Sequence, residues 1–333
     1  MQQIRGVNLG GWLVLERWIT PSLFEGSDAT DEYTLCQAGG DVAKERIQKH
    51  RETFITKDTI KAIAERGLNT VRLPVGHWLF GDVEPYIRGG DRYVDQLFEW
   101  CGEYNIGVIL DIHAAPGSQN GWDHSGKAGN IGWGHGDTLQ ETLEFLERLL
   151  GRYGDKTVLR GLEVLNEPHW DVPMKTLLEY YQQTYDLIRG RYPDLTILMS
   201  DAFRPEEMAK QLQKRRFTGV MLDVHLYQLF TPEDRALDLH GHIRKTERDW
   251  AKLLGKLTKR MPVIVGEWSA AMHELYLPLD QPAHTKRYGQ NDYRTYFQAQ
   301  HNMFNERAVS WTYWTARTER GGPWSLLDNP DFW

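Results

Sequence analysis

The chain has 333 residues, of which 41% are hydrophobic, and this length suits one large domain with a sizeable core. Its 39 lysine and arginine residues against 46 aspartate and glutamate residues give a formal net charge of -7, and this acidic balance argues against nucleic-acid binding, which usually needs a basic stripe. No run of 18 apolar residues occurs, so the sequence predicts no membrane span.

Eight short apolar runs alternate along the chain with amphipathic stretches. The runs, which we interpret as strands, cover residues 7–9, 70–73, 108–112, 162–165, 196–199, 220–224, 263–265 and 309–313. The stretches with helical spacing cover residues 57–66, 91–104, 138–153, 174–191, 205–214, 242–259 and 292–306. No Gly-x-Gly-x-x-Gly pattern follows the first strand, which weakens a dinucleotide-binding alternative.

Strands joined by helices indicate a parallel sheet, and eight of them in a chain of this length indicate an α/β fold, the closed (β/α)8 TIM barrel. We expect a single catalytic domain over residues 1–333, with an eighth helix that is short or lies within residues 321–333. Long loops at residues 21–51 and 114–136 follow the first and third strands. Both are expected at the carboxyl-terminal face of the barrel, where active sites of this fold lie, and together they favour a pocket over an open cleft.

Polar or aromatic side chains stand where most of the predicted strands end. They are Arg72, His113, Asn166, Glu167, His225, Tyr227, Glu267 and Trp314. In a barrel these side chains converge on one bowl. Two of them, Glu167 and Glu267, are carboxylates, and glycoside hydrolysis needs one carboxyl group to protonate the leaving oxygen and another to attack the sugar or activate water. The two groups stand roughly 5–5.5 Å apart in retaining enzymes and roughly 6.5–9.5 Å apart in inverting ones.

Tryptophan is unusually frequent, with 13 residues in the chain. About half of these are expected in the core. The others lie beside polar turns, where flat apolar rings suit the C–H faces of sugars. This second group is Trp122, Trp133, Trp170, Trp268 and Trp314.

Several motifs resemble those of glycoside hydrolase family 5. Asn166-Glu167-Pro168 resembles the acid/base motif of that family, and residues 265–268, Val-Gly-Glu-Trp, resemble its nucleophile strand. Residues 72–74, 111–113 and 225–227 also stand in the order of the family. Residues 6–16, 20–24 and 115–121 are similar to fungal exo-β-1,3-glucanases, and the resemblance extends from residue 6 to about residue 325.

The resemblance implies a retaining β-glycoside hydrolase, exo-acting on β-glucosides, in which Glu267 is the nucleophile and Glu167 the general acid/base. Arg72 and Tyr227 would keep Glu267 ionised, while the charge of Glu267 and partial burial would raise the pKa of Glu167. Asn166 would bind the 2-hydroxyl of the sugar. The resemblance also implies contacts with the terminal glucose. His113 and His225 would form the wall around it, Glu16, Asp123 and His124 would bind its outer hydroxyls, and Trp314 would lie beneath its ring. Trp122 and Phe230 would flank the next subsite as an aromatic clamp.

Two positions depart from the fungal pattern. Trp18 stands where those enzymes tend to have a smaller aromatic residue, and His124 stands where they tend to have asparagine. The secretory leader and the disulfides of those enzymes are also missing from this sequence. We therefore expect Cys36 and Cys101 to be free thiols and the protein to be cytoplasmic, unless a leader was removed before residue 1.

Other functions stay open at this point. The same mechanism could act on another β-linked substrate, as in an endo-glucanase, a mannanase, or an enzyme for glucosides of lipids or plant metabolites. A non-catalytic carbohydrate-binding barrel would be expected to lack one of the two carboxylates. Asp111 and His113, with His124 and His135, could form a metal site, although their spacing is loose. We expect an oligosaccharide or β-glucoside substrate and neither a metal nor another cofactor, because two carboxyl groups suffice for the reaction.

Overall fold

Eight parallel strands form a closed barrel in the computed structural model, which describes residues 3–81, 83–272, 288–307 and 309–332. The strands are β1 (Arg5–Asn8), β2 (Thr70–Gly76), β3 (Gly107–Ala114), β4 (Leu159–Glu163), β5 (Thr196–Ser200), β6 (Val220–Leu226), β7 (Val263–Trp268) and β8 (Ser310–Tyr313). The barrel closes where β1 pairs with β8, with Arg5 opposite Trp311. The predicted TIM barrel and its eight strands are confirmed.

Side chains alternate between the inside of the barrel and the surrounding helices, with the period of two that strands impose. On β3, Val108, Leu110 and Ile112 belong to the large core beneath the helices. Ile109 instead packs inside the barrel, in a separate apolar cluster with Ile4, Leu198, Met221 and Ile264. The same inward row continues from Ile109 to ionisable residues at the carboxyl end of β3. The barrel interior therefore has an apolar lower layer and an ionisable upper layer.

Helices surround the barrel and agree closely with the sequence pattern. They are α1 (Glu32–Thr53), α2 (Lys57–Glu65), α3 (Asp91–Tyr104), α4 (Thr138–Tyr153), α5 (Met174–Arg191), α6 (Pro205–Arg215), α7 (Pro232–Arg235), α8 (Leu239–Lys245), α9 (Ala251–Leu257) and α10 (Gln290–Glu306). The stretch predicted as one helix at 242–259 is divided, because a π-helical turn at Thr246–Trp250 separates α8 from α9. The described residues after β8 form three 3-10 turns, at Gly322–Trp324, Leu326–Asp328 and Pro330–Phe332, so the eighth helical element is short and lies in the tail.

The prediction of a long loop at residues 21–51 was wrong, because most of this segment is the 22-residue helix α1. Asp31 begins the helix with a reciprocal capping box, in which its side chain accepts a hydrogen bond from the amide of Thr34 at 2.7 Å. Two features conceal this helix in the sequence. Gly40 interrupts it with a φ of 49°, and charged residues dominate its exposed side, leaving few apolar positions to mark the buried one.

Two further properties follow from the packing. Cys36 and Cys101 are buried and free, as predicted. Among the described helices, none has the length and apolar composition needed to cross a bilayer.

Candidate active site

Arg72 lies at the centre of the ionisable layer and is completely buried. Its Nε donates to Glu163 at 2.6 Å, its Nη1 donates to Asn8 at 2.9 Å and to Glu267 at 3.0 Å, and its Nη2 donates to Asn166 at 2.8 Å. The carboxylate of Asp111 lies 3.1 Å from Nη2. A planar guanidinium presents its donors in a fixed fork, so this one side chain sets the positions of groups from β1, β3, β4 and β7.

Glu167 and Glu267 face each other across the bowl, as predicted. Carboxylate oxygens of the two residues, together with a ring nitrogen of His225, all lie within 4.8 Å of one another. The other oxygen contacts of Glu267 are with Arg72 Nη1 and with the hydroxyl of Tyr227, which donates at 2.9 Å. Glu167 has a φ of 42°, in the left-handed region that residues with a side chain rarely adopt. Such backbone strain is characteristic of functional sites.

His225 connects the two glutamates. Its Nδ1 lies 2.6 Å from Glu167 Oε1 and 3.5 Å from Glu267 Oε2, while its Nε2 lies 3.2 Å from Asp223 Oδ2. Burial lowers the pKa of His225, but the carboxylates of Glu267, Asp223 and Glu167 raise it more, and the result lies well above the usual value. The surrounding carboxylates therefore favour the protonated form of the ring.

The pKa direction predicted for Glu167 was wrong, whereas Arg72 and Tyr227 act on Glu267 in the predicted direction and are outweighed by burial. Burial acts to raise the pKa of Glu167, but His225 outweighs it and leaves the pKa below its usual value. For Glu267, burial raises the pKa more than His225, Arg72 and Tyr227 lower it. The sequence placed His225 in the wall of the site but did not show that its ring touches Glu167, and that contact reverses the direction.

The predicted wall and floor residues also reach this bowl. His113 is buried, and its Nδ1 lies 2.7 Å from Asp111 Oδ2. The ring of Trp314 lies parallel to that of His113, with centroids 5.5 Å apart and planes at 9°. Only 3% of Trp314 is exposed, so it forms the bottom of the bowl.

A cluster from two loops borders the bowl on another side. Glu16 is buried and accepts a hydrogen bond from Trp18 Nε1 at 2.8 Å. Burial, then the nearby charge of Asp123, raises the pKa of Glu16 well above its usual value. His124 follows Asp123 in a 3-10 turn, and its Nε2 lies 3.4 Å from Glu167 Oε2. The structure thus brings the predicted Glu16, Asp123 and His124 to the site, together with Trp18.

The two rings of the predicted aromatic clamp belong to separate aromatic groups at the mouth of the bowl. Trp122 has ring neighbours in Trp170 at 6.1 Å and Phe203 at 5.6 Å, whereas Phe230 packs on Tyr227 at 5.4 Å. Trp170, Phe203 and Phe230 are all exposed. The aromatic surface at the mouth is therefore larger than the two rings predicted, and sequence reasoning missed Phe203, which follows β5 without a motif to mark it.

Two of the five tryptophans proposed for sugar binding were wrongly assigned. Trp133 is buried, and its Nε1 donates to Thr142 Oγ1 at 3.0 Å. Trp268 is buried against Phe297, Phe304 and Tyr313. Trp268 directly follows Glu267 on β7, so alternation along the strand directs its side chain away from the bowl and into the core.

The metal site considered from the sequence is not assembled in the described part of the chain. His135 is exposed, whereas Asp111 and His113 are buried and hydrogen bonded to each other. Ionisable groups do come close together elsewhere in the bowl, around His225. There Glu163 accepts from Arg72, Glu167 and Asp223 contact the two ring nitrogens, and Asp223 also accepts from a backbone amide. These contacts describe a hydrogen-bonded network suited to acid–base chemistry.

Sequence reasoning also missed Asn8, Glu163 and Asp223, which make hydrogen bonds within the ionisable layer. Asn8 accepts from Arg72 and donates to the carbonyl oxygens of Gly266 and Tyr313. Glu163 and Asp223 are both buried. The signal for them was present as period-two spacing, since Glu163 stands four residues before Glu167 and Asp223 two before His225.

Gly266, directly before Glu267, has no room for a side chain. A Cβ at this position would lie 2.2 Å from Asp223 Oδ1 and 2.3 Å from Oδ2. We expect Gly266→Ala to lower the free energy of unfolding by about 1–3 kcal/mol through overpacking, measured by urea denaturation, and to reduce activity. Gly151→Ala, at an exposed position of α4 where a Cβ would meet nothing within 4 Å, is the control and should stabilise by up to about 1 kcal/mol. Equal stabilities of the Gly266→Ala variant and the parent would contradict the packing described.

Known proteins match this chain over nearly its whole length. The family model for cellulase (glycosyl hydrolase family 5) matches residues 37–320. A probable glucan 1,3-beta-glucosidase A of Emericella nidulans is 37% identical over 365 residues, covering 98% of this chain and 88% of that protein. Glucan 1,3-beta-glucosidase 2 of Wickerhamomyces anomalus is 35% identical, covering 97% of this chain and 85% of that protein.

Solved structures share the fold at lower sequence identity. A rutinosidase from Aspergillus niger superposes with a TM-score of 0.79 at 19% identity, covering 99% of this chain and 98% of that one. Cellulose synthase subunit Z from Clostridioides difficile superposes with a TM-score of 0.65 at 16% identity, covering 99% of both chains.

Proposed function

The chain belongs to glycosyl hydrolase family 5, and from that premise we propose that it removes terminal glucose from β-1,3-glucan oligosaccharides by double displacement. Membership of the family makes it a retaining β-glycoside hydrolase. The linkage is inferred from the glucan 1,3-beta-glucosidases that it resembles at 35–37% identity. The observation that carries the mechanism is that oxygens of Glu167 and Glu267 lie within 4.8 Å, closer than the roughly 6.5–9.5 Å of inverting enzymes.

In this proposal Glu267 attacks the anomeric carbon and forms the covalent glycosyl-enzyme. Arg72 Nη1 and the Tyr227 hydroxyl each donate a hydrogen bond to one of its oxygens. These two donors fix the orientation of the carboxylate towards the sugar. Glu167 gives its proton to the leaving oxygen and later removes one from the attacking water. Asn166 keeps an unpaired Nδ2 among the described residues, and this buried donor is suited to the 2-hydroxyl of the sugar.

Exo action is supported by the walls of the bowl. Trp18, in the loop after β1, packs on Trp324, in the tail after β8, with ring centroids 4.9 Å apart. Trp324 in turn packs on Tyr227 at 5.7 Å. Glu16, Asp123 and His124 are placed to bind the outer hydroxyls of a terminal sugar in the enclosed space. These contacts close one side of the site, as an enzyme that acts on chain ends requires.

A second candidate is a β-glucosidase for glucosides with a flat aromatic leaving group. The observation that favours it is the exposed aromatic surface at the mouth, where Trp170 is 52% exposed beside Phe203. Aromatic faces of this kind stack on planar ligands as well as on sugars. A rutinosidase is among the proteins that share the fold.

One assay series tests both candidates. Purified protein is given laminari-oligosaccharides, cello-oligosaccharides, aryl β-glucosides and rutinosides, and the products are followed by proton NMR. We expect β-glucose as the first product and the highest kcat/KM for laminari-oligosaccharides. A preference for aryl glucosides or rutinosides would favour the second candidate, and α-glucose as the first product would overturn the retaining mechanism.

The aromatic surface gives a separate prediction for Trp122. We expect Trp122→Ala to lower kcat/KM for laminaritriose roughly tenfold, because one stacking face for the leaving sugar is lost. β-Glucosyl fluoride has no leaving sugar, so its kcat/KM should stay within about twofold of the parent value if stacking is the role of this ring. Equal losses on both substrates would instead indicate that Trp122 supports the position of the neighbouring His124.

A further inference from the structure

Strand β6 and the residue directly after it present three polar side chains to the bowl at alternate positions. Tyr227 donates to Glu267, and His225 contacts Glu167. Asp223, deepest of the three, has no contact with either glutamate, yet its carboxylate lies against groups that touch both. Its Oδ2 lies 3.2 Å from His225 Nε2, and its Oδ1 accepts the backbone N–H of Gly266, the residue before Glu267, at 2.7 Å.

The Asp223 carboxylate is held without freedom to rotate. It is buried, and it fills the space that a side chain on Gly266 would need, with Oδ1 2.2 Å from an ideal Cβ there. Because the Gly266 amide occupies Oδ1, Oδ2 is the oxygen left to face His225. An ionised carboxylate can only accept, so the facing nitrogen, Nε2, has to be a donor.

We propose that Asp223 is a positioning residue that fixes the tautomer of His225, so that Nδ1 is the nitrogen that exchanges a proton with Glu167. The proposal rests on the assignment of Glu167 as acid/base. It goes beyond that assignment by naming the group that stores the proton and the group that orients it. Neutral histidine has one protonated and one free nitrogen, and the partner of one nitrogen decides the state of the other. With Nε2–H directed to Asp223, Nδ1 is free to receive a proton.

Over one catalytic cycle, His225 gives up one proton and recovers one. In the free site the proton lies on Nδ1, between an imidazolium and the Glu167 carboxylate. It moves across the 2.6 Å contact to Glu167 Oε1, leaving His225 neutral, and Glu167 then gives it to the glycosidic oxygen as Glu267 bonds to the sugar. In the second step water loses a proton to Glu167 and its oxygen replaces Glu267 on the sugar. The proton returns to Nδ1 and the starting charges are restored.

Other charged groups also act on His225, and the experiment has to separate them from Asp223. The groups that face the ring, or act on it through space, are Arg72 from β2, Asp111 and His113 from β3, Glu163 from β4, Glu167 after β4, Asp201 after β5, Asp223 from β6 and Glu267 from β7. Besides Glu167, Asp223 is the described carboxylate with a hydrogen bond to the ring, and Glu267 lies 3.5 Å from Nδ1. A change confined to Asp223 therefore tests the contact.

The variant is Asp223→Asn, whose oxygen can still accept from Gly266 while its NH2 faces Nε2. This donor forces Nε2 to be an acceptor and places the proton of neutral His225 on Nδ1, the wrong tautomer. We expect kcat to fall on the order of 10²-fold or more, with KM for a laminari-oligosaccharide within about threefold. The lost negative charge also weakens proton binding, so the basic limb of the pH profile of kcat/KM should move down by about one pH unit or more.

Asp201→Asn is the matched control, because Asp201 is a buried carboxylate that accepts from the amide of Phe203 and has no hydrogen bond to His225. It should shift the basic limb less than Asp223→Asn does. An unchanged basic limb in Asp223→Asn, or a shift equal to that of the control, would overturn the proposal, and so would unchanged kcat.

If Asp223→Asn does not fold, nitrogen-15 NMR of labelled histidine in the parent protein tests the proposal instead, because it reports whether Nε2 of His225 is protonated. The His225 signals are assigned by their loss in His225→Gln, and Nε2 should stay protonated at every pH at which the enzyme is active. An unprotonated Nε2 within that range would overturn the proposal. Azide rescue of Glu167→Ala tests the acid/base assignment by itself, so failure of that assignment is distinguishable from failure of the tautomer proposal.

Discussion

Replacing Glu267 by alanine is expected to lower kcat/KM for aryl β-glucosides on the order of 10⁴–10⁶-fold, because the nucleophile of the first step is lost. Added azide should restore part of this rate by entering the space of the missing carboxylate. Azide would then attack the anomeric carbon from the side opposite the leaving group, and the product would be α-glucosyl azide. Product configuration is measured by proton NMR.

The matching variant Glu167→Ala separates the two roles. A substrate with a very good leaving group, such as a dinitrophenyl β-glucoside, needs no acid, so the glycosyl-enzyme still forms on Glu267. Azide then attacks that intermediate and yields β-glucosyl azide. The reverse pair of products would exchange the two assignments, and wild-type activity in Glu267→Ala would exclude it as the nucleophile. Circular dichroism and melting temperature confirm that each variant is folded.

The second large effect is expected on stability, at Arg72. Replacing it by methionine leaves Asp111, Glu163 and Glu267 buried around an apolar side chain. Removal of one partner of a buried ion pair typically costs 3–5 kcal/mol, so we expect Arg72→Met to lose about that much free energy of unfolding at pH 7 in urea denaturation. Arg88→Met is the control, because the pair that Arg88 forms with Glu84 is exposed. Its effect should stay within about 0.5 kcal/mol.

The loss of unfolding free energy in Arg72→Met is expected to depend on pH in one direction. Burial already raises the pKa of Asp111 to about 8 with the guanidinium present, and that of Glu163 well above its usual value. Carboxyl groups with a raised pKa in the folded state stabilise fully below their unfolded pKa of about 4, and that stability is lost as pH rises towards the folded value. Loss of the guanidinium raises these folded-state pKa values further, so the parent releases protons that the variant keeps only as the pH approaches the parent's own values, about 8 for Asp111. The deficit of Arg72→Met should therefore grow as the pH rises through about 8. A deficit that shrinks there would contradict the charge arrangement described.

Local patterns in the sequence predicted the barrel well, because buried parallel strands are continuous apolar runs and their helices carry a strong 3.6-residue period. Helices α3, α4 and α5 have the bounds that spacing indicates. Helix α1 was missed because its buried positions are few and Gly40 breaks its period. Only its capping residue, Asp31, marks it.

The candidate site also contains residues that the sequence predicted and residues that it did not. Side chains at strand ends, such as Glu167 and Glu267, could be predicted because the fold brings strand ends together. Period-two spacing could have marked the groups one layer deeper, but not their role, which depends on contacts between strands distant in the chain: Asp223 acts on Gly266, 43 positions later. The predicted direction of the Glu167 pKa was wrong for the same reason, because it depends on a single contact, with the Nδ1 of His225 at 2.6 Å.

The pairing of β1 with β8 has a consequence for the order in which the protein is built. Residues 5–7 leave the ribosome long before residues 311–313 and must wait for them before the cylinder can close. Asn8, which holds Arg72 on one side and the carbonyl of Tyr313 on the other, is completed by the same event. A nascent chain therefore cannot hydrolyse its substrate until β8 has emerged, and the first and last strands of the barrel together complete the centre of catalysis.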